Sequence, residues 1–460
     1  MFQTIESIVE ERSLAIASAA EMAADPSPAD VAHPATGSDG RGYAKYGVGQ
    51  SLVAIPAYLL SENVLAHVLP LPNVRDSLDR PRASTVVYGT SLTNAVIGGL
   101  VVALTFLLVT SIGYSQRTAL VVAILLASAT LIPHYAATFL SEPLTALCFV
   151  AIILAIIRAS AEHNRSAAAW LAFAGFMTGL AIATRPSNVV TLVAPFLWLA
   201  WLAWNWNDRS LPRTARDCVI FATPALAWLV GIAAYNHARF GNVLETGYGD
   251  EARNMYTTPF AEGLYGLLLS PGKGVLWYNP PLLLALAGSV WLYRKLPGLS
   301  VTIVGMLAGT LLLYSRYYDW AGGGAWGPRF LVPLLPLLLV PAAGLIERSW
   351  GHARVTALVA TVAAAGLFVT FLGIGVRFDR YVAEYSTSPQ REQAAVRSIT
   401  DSPIVVHAEQ LFNDPFHPDL AAVRYESPRL TTLSWASALL GIAFLCLAAS
   451  RVFRPRSHPG

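Results

Sequence analysis

The chain has 460 residues, of which 55% are hydrophobic and 13% charged, with a mean hydropathy of +0.50 and a formal net charge of +3. Soluble domains run nearer a quarter charged, so this composition excludes a soluble globule, and so small a net charge gives no ground for a nucleic-acid partner. Cys148, Cys218 and Cys446 lie in or beside apolar stretches and form neither a disulfide framework nor a CxxC pattern; no HExxH is present either, so neither a metal nor another cofactor is expected.

The apolar residues come in blocks close to the ~20 residues that cross a bilayer. Spans are expected at about 86–112, 117–135, 142–158, 167–184, 187–205, 218–236, 279–294, 298–314, 328–346, 355–376 and 431–450. Stretch 51–69 is broken by Pro56 and carries Glu62 and His67, and reads as a helix lying at the interface. The fold class is an all-α polytopic membrane protein of about eleven transmembrane helices plus that interfacial helix.

Arg117, Arg158, Arg165, Arg209, Arg213, Arg216, Arg294, Lys295, Arg348, Arg354 and the tail Arg451, Arg454 and Arg456 fall on one set of alternate connections, with Glu162, Asp208, Asp217 and Glu347 as the accompanying acids. Short basic loops face the cytoplasm, which places the C-terminus there. The long connections fall on the other side. The organisation expected is an extracytoplasmic loop with interfacial helices over 1–85 and a helical domain over 86–376 with outer loops at 237–278 and 315–327. A small extracytoplasmic cap of mixed structure over 377–430 and a last helix with a basic tail over 431–460 follow. An odd number of crossings leaves residues 1–85 outside without a preceding helix, so an upstream helix is expected.

The stretch 314–336, YSRYYDWAGGGAWGPRFLVPLLP, sets an acid, two guanidiniums and several rings between two apolar spans. Polar groups at such a depth are costly and mark a ligand site. With YAKYGVGQSLVAIPAYLL, ATFLSEPLTAL, ATRPSN, FGNVLETGYGD and LLSPGKGVLWYNPPLLLAL in order before it, the chain resembles, over roughly 40–430, the bacterial polyprenyl-phosphate-dependent glycosyltransferases of the GT-C superfamily. Protein O-mannosyltransferases and the lipid A aminoarabinose transferase are relatives of that group. The resemblance implies an inverting, metal-independent transfer of a sugar from a polyprenyl-phosphate donor to an extracytoplasmic acceptor (a lipid, a glycan or a protein) by an enzyme of the inner or plasma membrane. It also implies a catalytic aspartate a few residues before a segment like FQTIESIVEERSLA, and this chain opens on that segment.

Such a transfer needs a base for the acceptor hydroxyl and cations for the leaving phosphate. Arg329 is the first candidate for the phosphate: it follows the glycine-rich loop at the start of a span, and its planar fork suits phosphate oxygens. Lys45, Tyr46, Lys273 and Arg185 are further phosphate candidates. Glu142, at the outer start of a span, and Asp319, beside Trp320, are the acid candidates. Trp320, Trp326 and Tyr248 are candidates for stacking on a sugar or acceptor, against the alternative of an interfacial aromatic belt. Two rival readings are a transporter or flippase of an amphipathic lipid, and an inactive N-terminally truncated GT-C fragment. The first predicts mid-membrane charges and related halves, for which no internal repeat speaks.

Overall fold

The computed structural model describes residues 1–24, 34–75, 81–161, 165–249, 254–385, 389–413 and 432. The expected span 431–450 with its basic tail, and the loop acids Asp250 and Glu251, lie outside them. Among the described residues nine helices are long and apolar enough to cross a membrane: Gly49–Val68, Ser84–Ser111, Glu142–Ala161, Ser166–Thr184, Asn188–Trp206, Leu211–Phe240, Pro297–Tyr314, Arg329–Ser349 and Ala353–Gly375. Helices Gln116–Ser128 and Leu282–Lys295 stand where spans were expected but are shorter. The stretch read as interfacial, 51–69, sits in a helix that has by itself the length and hydropathy of a span. The fold is all-α; the strands described are two short antiparallel pairs, Ala35–Thr36 with Gly42–Tyr43 and Asn73–Arg75 with Pro81–Ala83.

Helix Glu142–Ala161 is the axis. Its sequence, EPLTALCFVAIILAIIRASA, is apolar all round, as a helix surrounded by others must be. Helices Ser84–Ser111 and Arg165–Thr184 and the turn Arg329–Leu334 pack around it. Helix Leu211–Phe240 is at the periphery and leaves most of its apolar surface uncovered. It approaches Arg165–Thr184 closely because Gly175 lies under the Phe221 carbonyl and Gly179 under the Trp228 ring. Close approach over small residues is how helices gain contact where lipid is as apolar as leucine.

Two polar devices hold the N-terminal segments and the turn before Glu142 against this bundle. Gln50 donates to Asn94 at 2.9 Å, and the Asn94 amide donates to the carbonyls of Thr138 and Leu140 at 2.7 Å each. This fixes the chain immediately before Glu142. The N-terminal helix Phe2–Val9 lies on Gly49–Leu60 through Ile5, Ala54 and Tyr58, with Arg82 paired to Glu6 and the Tyr58 hydroxyl donating to Glu10. The described part of the cap is helical: Phe378–Tyr385, Pro389–Arg397 and Pro403–Asn413.

Candidate active site

Glu142 opens its helix with no solvent exposure, at the positive end of the helix dipole. Opposite it stands Arg185. Helix Arg165–Thr184 stops there because Pro186 disfavours helical backbone in the residue before it. The Arg185 Nη2 donates to Glu142 Oε1 at 2.5 Å and its Nε to Ser141 Oγ at 2.9 Å. Arg329 enters from the third side, its Nε 3.9 Å from the same carboxylate oxygen. Both guanidiniums lie near the Phe330 ring, 5.8 Å and 4.9 Å from its centroid. That ring is stacked on Tyr314 at 4.1 Å, and the Tyr314 hydroxyl meets Ser187 Oγ at 2.8 Å. Segments 141–142, 185–187, 314 and 329–330 thus converge on one acid and two cations.

The glycine-rich loop shapes the Arg329 side. Gly322 has φ +81°, and a Cβ there would stand 2.9 Å from the Arg329 Cγ. Asp319 accepts from the Gly323 N–H at 2.9 Å and closes the turn. Burial raises the Asp319 carboxyl above its usual range, while Arg329, the Gly323 N–H and Lys273 pull it back. Lys273 is buried and clamps the loop from behind, its Nζ donating to the carbonyls of Gly323 (3.2 Å) and Ala325 (2.5 Å). Burial pulls its amine down to about 8. Gly272 in turn lies against Val396 of the cap and donates to its carbonyl at 3.0 Å.

The structure brings Glu142, Arg185 and Arg329 together, and sets Lys273 and Asp319 on the loop that carries Arg329. Trp320 and Trp326 are fully buried. Trp320 packs on Gly266, while Trp326 stacks on His407 at 4.6 Å and meets Tyr278 edge-on at 5.2 Å. Their ring faces are covered by protein, so they build the loop in this geometry. Tyr46 is exposed and Tyr248 partly so, with its phenol pushed up to about 12 by burial.

Lys45 and Tyr46 line a small neighbouring cavity with Pro186, Tyr235, Asn236 and Arg239. Arg239 escaped the sequence reading. It is buried, donates to Ala44 O at 2.5 Å and to Asn236 Oδ1 at 2.8 Å, and lies 3.7 Å from the Tyr235 ring centroid. In the sequence it is one more basic residue at a helix end; only its burial marks it.

Residues 78–241, which include Glu142 and Arg185, match the family model for dolichyl-phosphate-mannose-protein mannosyltransferases. The GT-C likeness read from the sequence holds over this segment. No curated protein matches the chain. Among solved structures, it is similar to ArnT from Cupriavidus metallidurans bound to undecaprenyl phosphate, with TM-score 0.44 and 13% identity, over 79% of this chain and 65% of that one. It is also similar to the oligosaccharyltransferase of Archaeoglobus fulgidus tethered with an acceptor peptide, with TM-score 0.44 and 12% identity, over 88% of this chain and 55% of that one. The chain spans less than two thirds of the length of either.

Proposed function

We propose that the protein is a GT-C glycosyltransferase that moves a sugar from a polyprenyl-phosphate donor to an acceptor outside the cytoplasm, with Arg329 as the residue that takes the donor phosphate. The observation that carries this is the state of Arg329. Its side chain is 26% exposed, and its Nε is buried without a hydrogen-bond partner although a carboxylate lies 3.9 Å away. A guanidinium with an unused donor, held at the rim of a loop, suits a phosphate. The description of the matching family names a dolichyl-phosphate mannose donor, and the same lipid-phosphate chemistry would serve here.

In this reading the bond between the sugar's anomeric carbon and the phosphate oxygen breaks as the acceptor attacks, and negative charge grows on the departing phosphate. Arg329 and Arg185 meet that charge, which favours the transition state over the bound donor. Glu142, closed off from solvent, is a positioning residue that holds Arg185 and faces Arg329. Asp319 is partly open, and burial raises its carboxyl above its usual range, which suits a group that accepts a proton from the acceptor hydroxyl. Lys273 keeps the loop in register, and Tyr46 and Tyr248 are the rings free to lie along a sugar.

The test is transfer from radiolabelled polyprenyl-phosphate sugars to membrane acceptors by the purified full chain and its variants. Arg329→Ala is expected to lower kcat by roughly 10²–10³, the cost of losing one group aimed at developing charge, with folding retained. Full activity in Arg329→Ala, or no transfer from any polyprenyl-phosphate sugar, overturns the reading.

A further inference from the structure

A second polar cleft lies at the other end of the same helices. Gly113, Tyr114, Trp291, Arg294, Lys295, Glu347 and Arg348 line an open cleft of about 440 Å³, within the range of small-ligand sites. Helix Arg329–Ser349 runs from the arginine of the candidate active site to this cleft, a rise of about 30 Å for 21 residues. The two sites therefore do not share residues or ligands.

Its cations are held ready rather than paired off. Lys295 Nζ donates to Gly113 O at 2.9 Å and sits 4.3 Å from the centroid of the Tyr114 ring. Gly113 adopts φ +83°, and a Cβ there would stand 3.3 Å from that nitrogen, so glycine makes room for the lysine. Arg348 lies over Trp291 at 5.5 Å. Arg294 is exposed and makes no hydrogen bond or ion pair among the described residues. The acid of the cleft is already engaged: Glu347 Oε2 accepts from Ser115 N at 3.2 Å and from Ser115 Oγ at 2.7 Å, at the start of helix Gln116–Ser128. Tyr114 is buried, and its hydroxyl has no hydrogen-bond partner. Three cations face one acid, and an unused hydroxyl stands beside them.

We propose that this cleft binds the phosphate of an anionic phospholipid of the surrounding leaflet. Trp291 and Tyr114 supply the rings that settle at headgroup level, and Arg294, Lys295, Arg348 and the Tyr114 hydroxyl supply donors to one phosphate. The basic connections put this end at the cytoplasmic leaflet, where anionic headgroups gather against lysine and arginine. Helix C-termini end here and carry partial negative charge, so the three cations together are needed for a net attraction.

The experiment uses the purified full chain in neutral detergent with phosphatidylglycerol, phosphatidylcholine of the same chains, or inorganic phosphate, and reads lipid retained in native mass spectra and the shift in melting temperature. Phosphatidylglycerol is expected to be retained and to raise the melting temperature, and phosphatidylcholine and inorganic phosphate are not. Arg294→Gln is expected to weaken phosphatidylglycerol retention roughly fivefold, and Arg294→Gln/Arg348→Gln further. Tyr114→Phe, which leaves the charge unchanged, is expected to weaken it too. Arg213→Gln, a charge removed from the same end outside the cleft, is expected to leave it unaltered. Equal retention of the two lipids, or equal loss in Arg213→Gln and Arg294→Gln, overturns the site. Stabilisation by inorganic phosphate matching that by phosphatidylglycerol overturns the lipid as its ligand.

Discussion

At Glu142 a carboxylate without solvent exposure shares one oxygen between Arg185 and Arg329, and its other oxygen, Oε2, has no hydrogen-bond partner. Removing one member of a buried pair leaves the other uncompensated, at a cost of about 3–5 kcal/mol. Arg185→Ala is therefore expected to lower the melting temperature, with Arg329 at 3.9 Å still offsetting part of the Glu142 charge, while Arg185→Ala/Glu142→Gln recovers part of the loss because the buried carboxylate that lost its close partner is gone. Thermal melting of the four members of that cycle in detergent checks it; a double variant no more stable than Arg185→Ala would show that the pair does not carry the effect. The pairing was not legible in the sequence. Both residues stood out as polar positions at the ends of apolar spans, but 43 positions separate them, and the hairpin that joins them had to be folded first. Trp320 and Trp326 show the opposite failure. Their sequence neighbourhood suits a sugar platform, a headgroup belt or a packed core equally well, and Gly266, Tyr278 and His407, all distant in the chain, decide for packing.

At the scale of the element, the loop 319–329 is held by conformations that glycine adopts easily. Gly322, Gly323 and Gly327 have φ of +81°, +60° and +69°. An alanine in left-handed backbone costs roughly 1–2 kcal/mol. Gly322→Ala adds a contact that displaces the Arg329 side chain, whereas Gly351, with φ +89°, has open space around its Cβ position at the other end of the molecule. The two substitutions are expected to destabilise by similar amounts, but Gly322→Ala alone is expected to lower transfer, through kcat. Equal activity of the two at equal folding would separate the loop's shape from catalysis. Sequence made the loop visible as an interruption between apolar runs. It could not reveal that the cap holds the loop in place. His407 of helix Pro403–Asn413 bonds Leu372 O at 3.1 Å through Nδ1 and stacks on Trp326. Burial pulls its imidazole down from 6.5 to about 4. The unfolded chain then binds the extra proton first as pH falls, so stability is full above 6.5 and declines toward 4, by at most ~3 kcal/mol. His407→Phe keeps a ring against Trp326 and is expected to flatten that decline, measured as melting temperature against pH; an unchanged slope assigns it to other groups.

At the scale of the molecule, the apolar blocks were the most legible feature, since span length and uniform hydrophobicity are written locally. Every span expected up to residue 376 has a helix in its place, though Gln116–Ser128 and Leu282–Lys295 are shorter than a crossing by length alone. Which helix is central was not local information: Glu142–Ala161 and Leu211–Phe240 are both apolar, and only packing makes the first an axis and the second a lipid-facing flank. Sidedness rests on charge distribution and has a direct test along that flank. Leu211 opens the 30-residue helix Leu211–Phe240 at the basic end, and Leu244 follows it at the end that carries Arg329; both are well exposed. The helix is about 45 Å long, enough to set the two residues on opposite sides of a bilayer core of ~30 Å. In a background with the three native cysteines replaced, Leu244→Cys is expected to react with a membrane-impermeant maleimide in intact spheroplasts. Leu211→Cys is expected to react only after permeabilisation. The reverse pattern would place Arg329, Arg185 and Glu142 at the cytoplasmic face, and a donor sugar carried there could not be passed to an acceptor outside the cell. Charge at loop ends would then have misled the whole orientation, and the phospholipid cleft would lie in the outer leaflet. Labelling at both ends of one rigid helix decides between the two arrangements without depending on any assay of transfer.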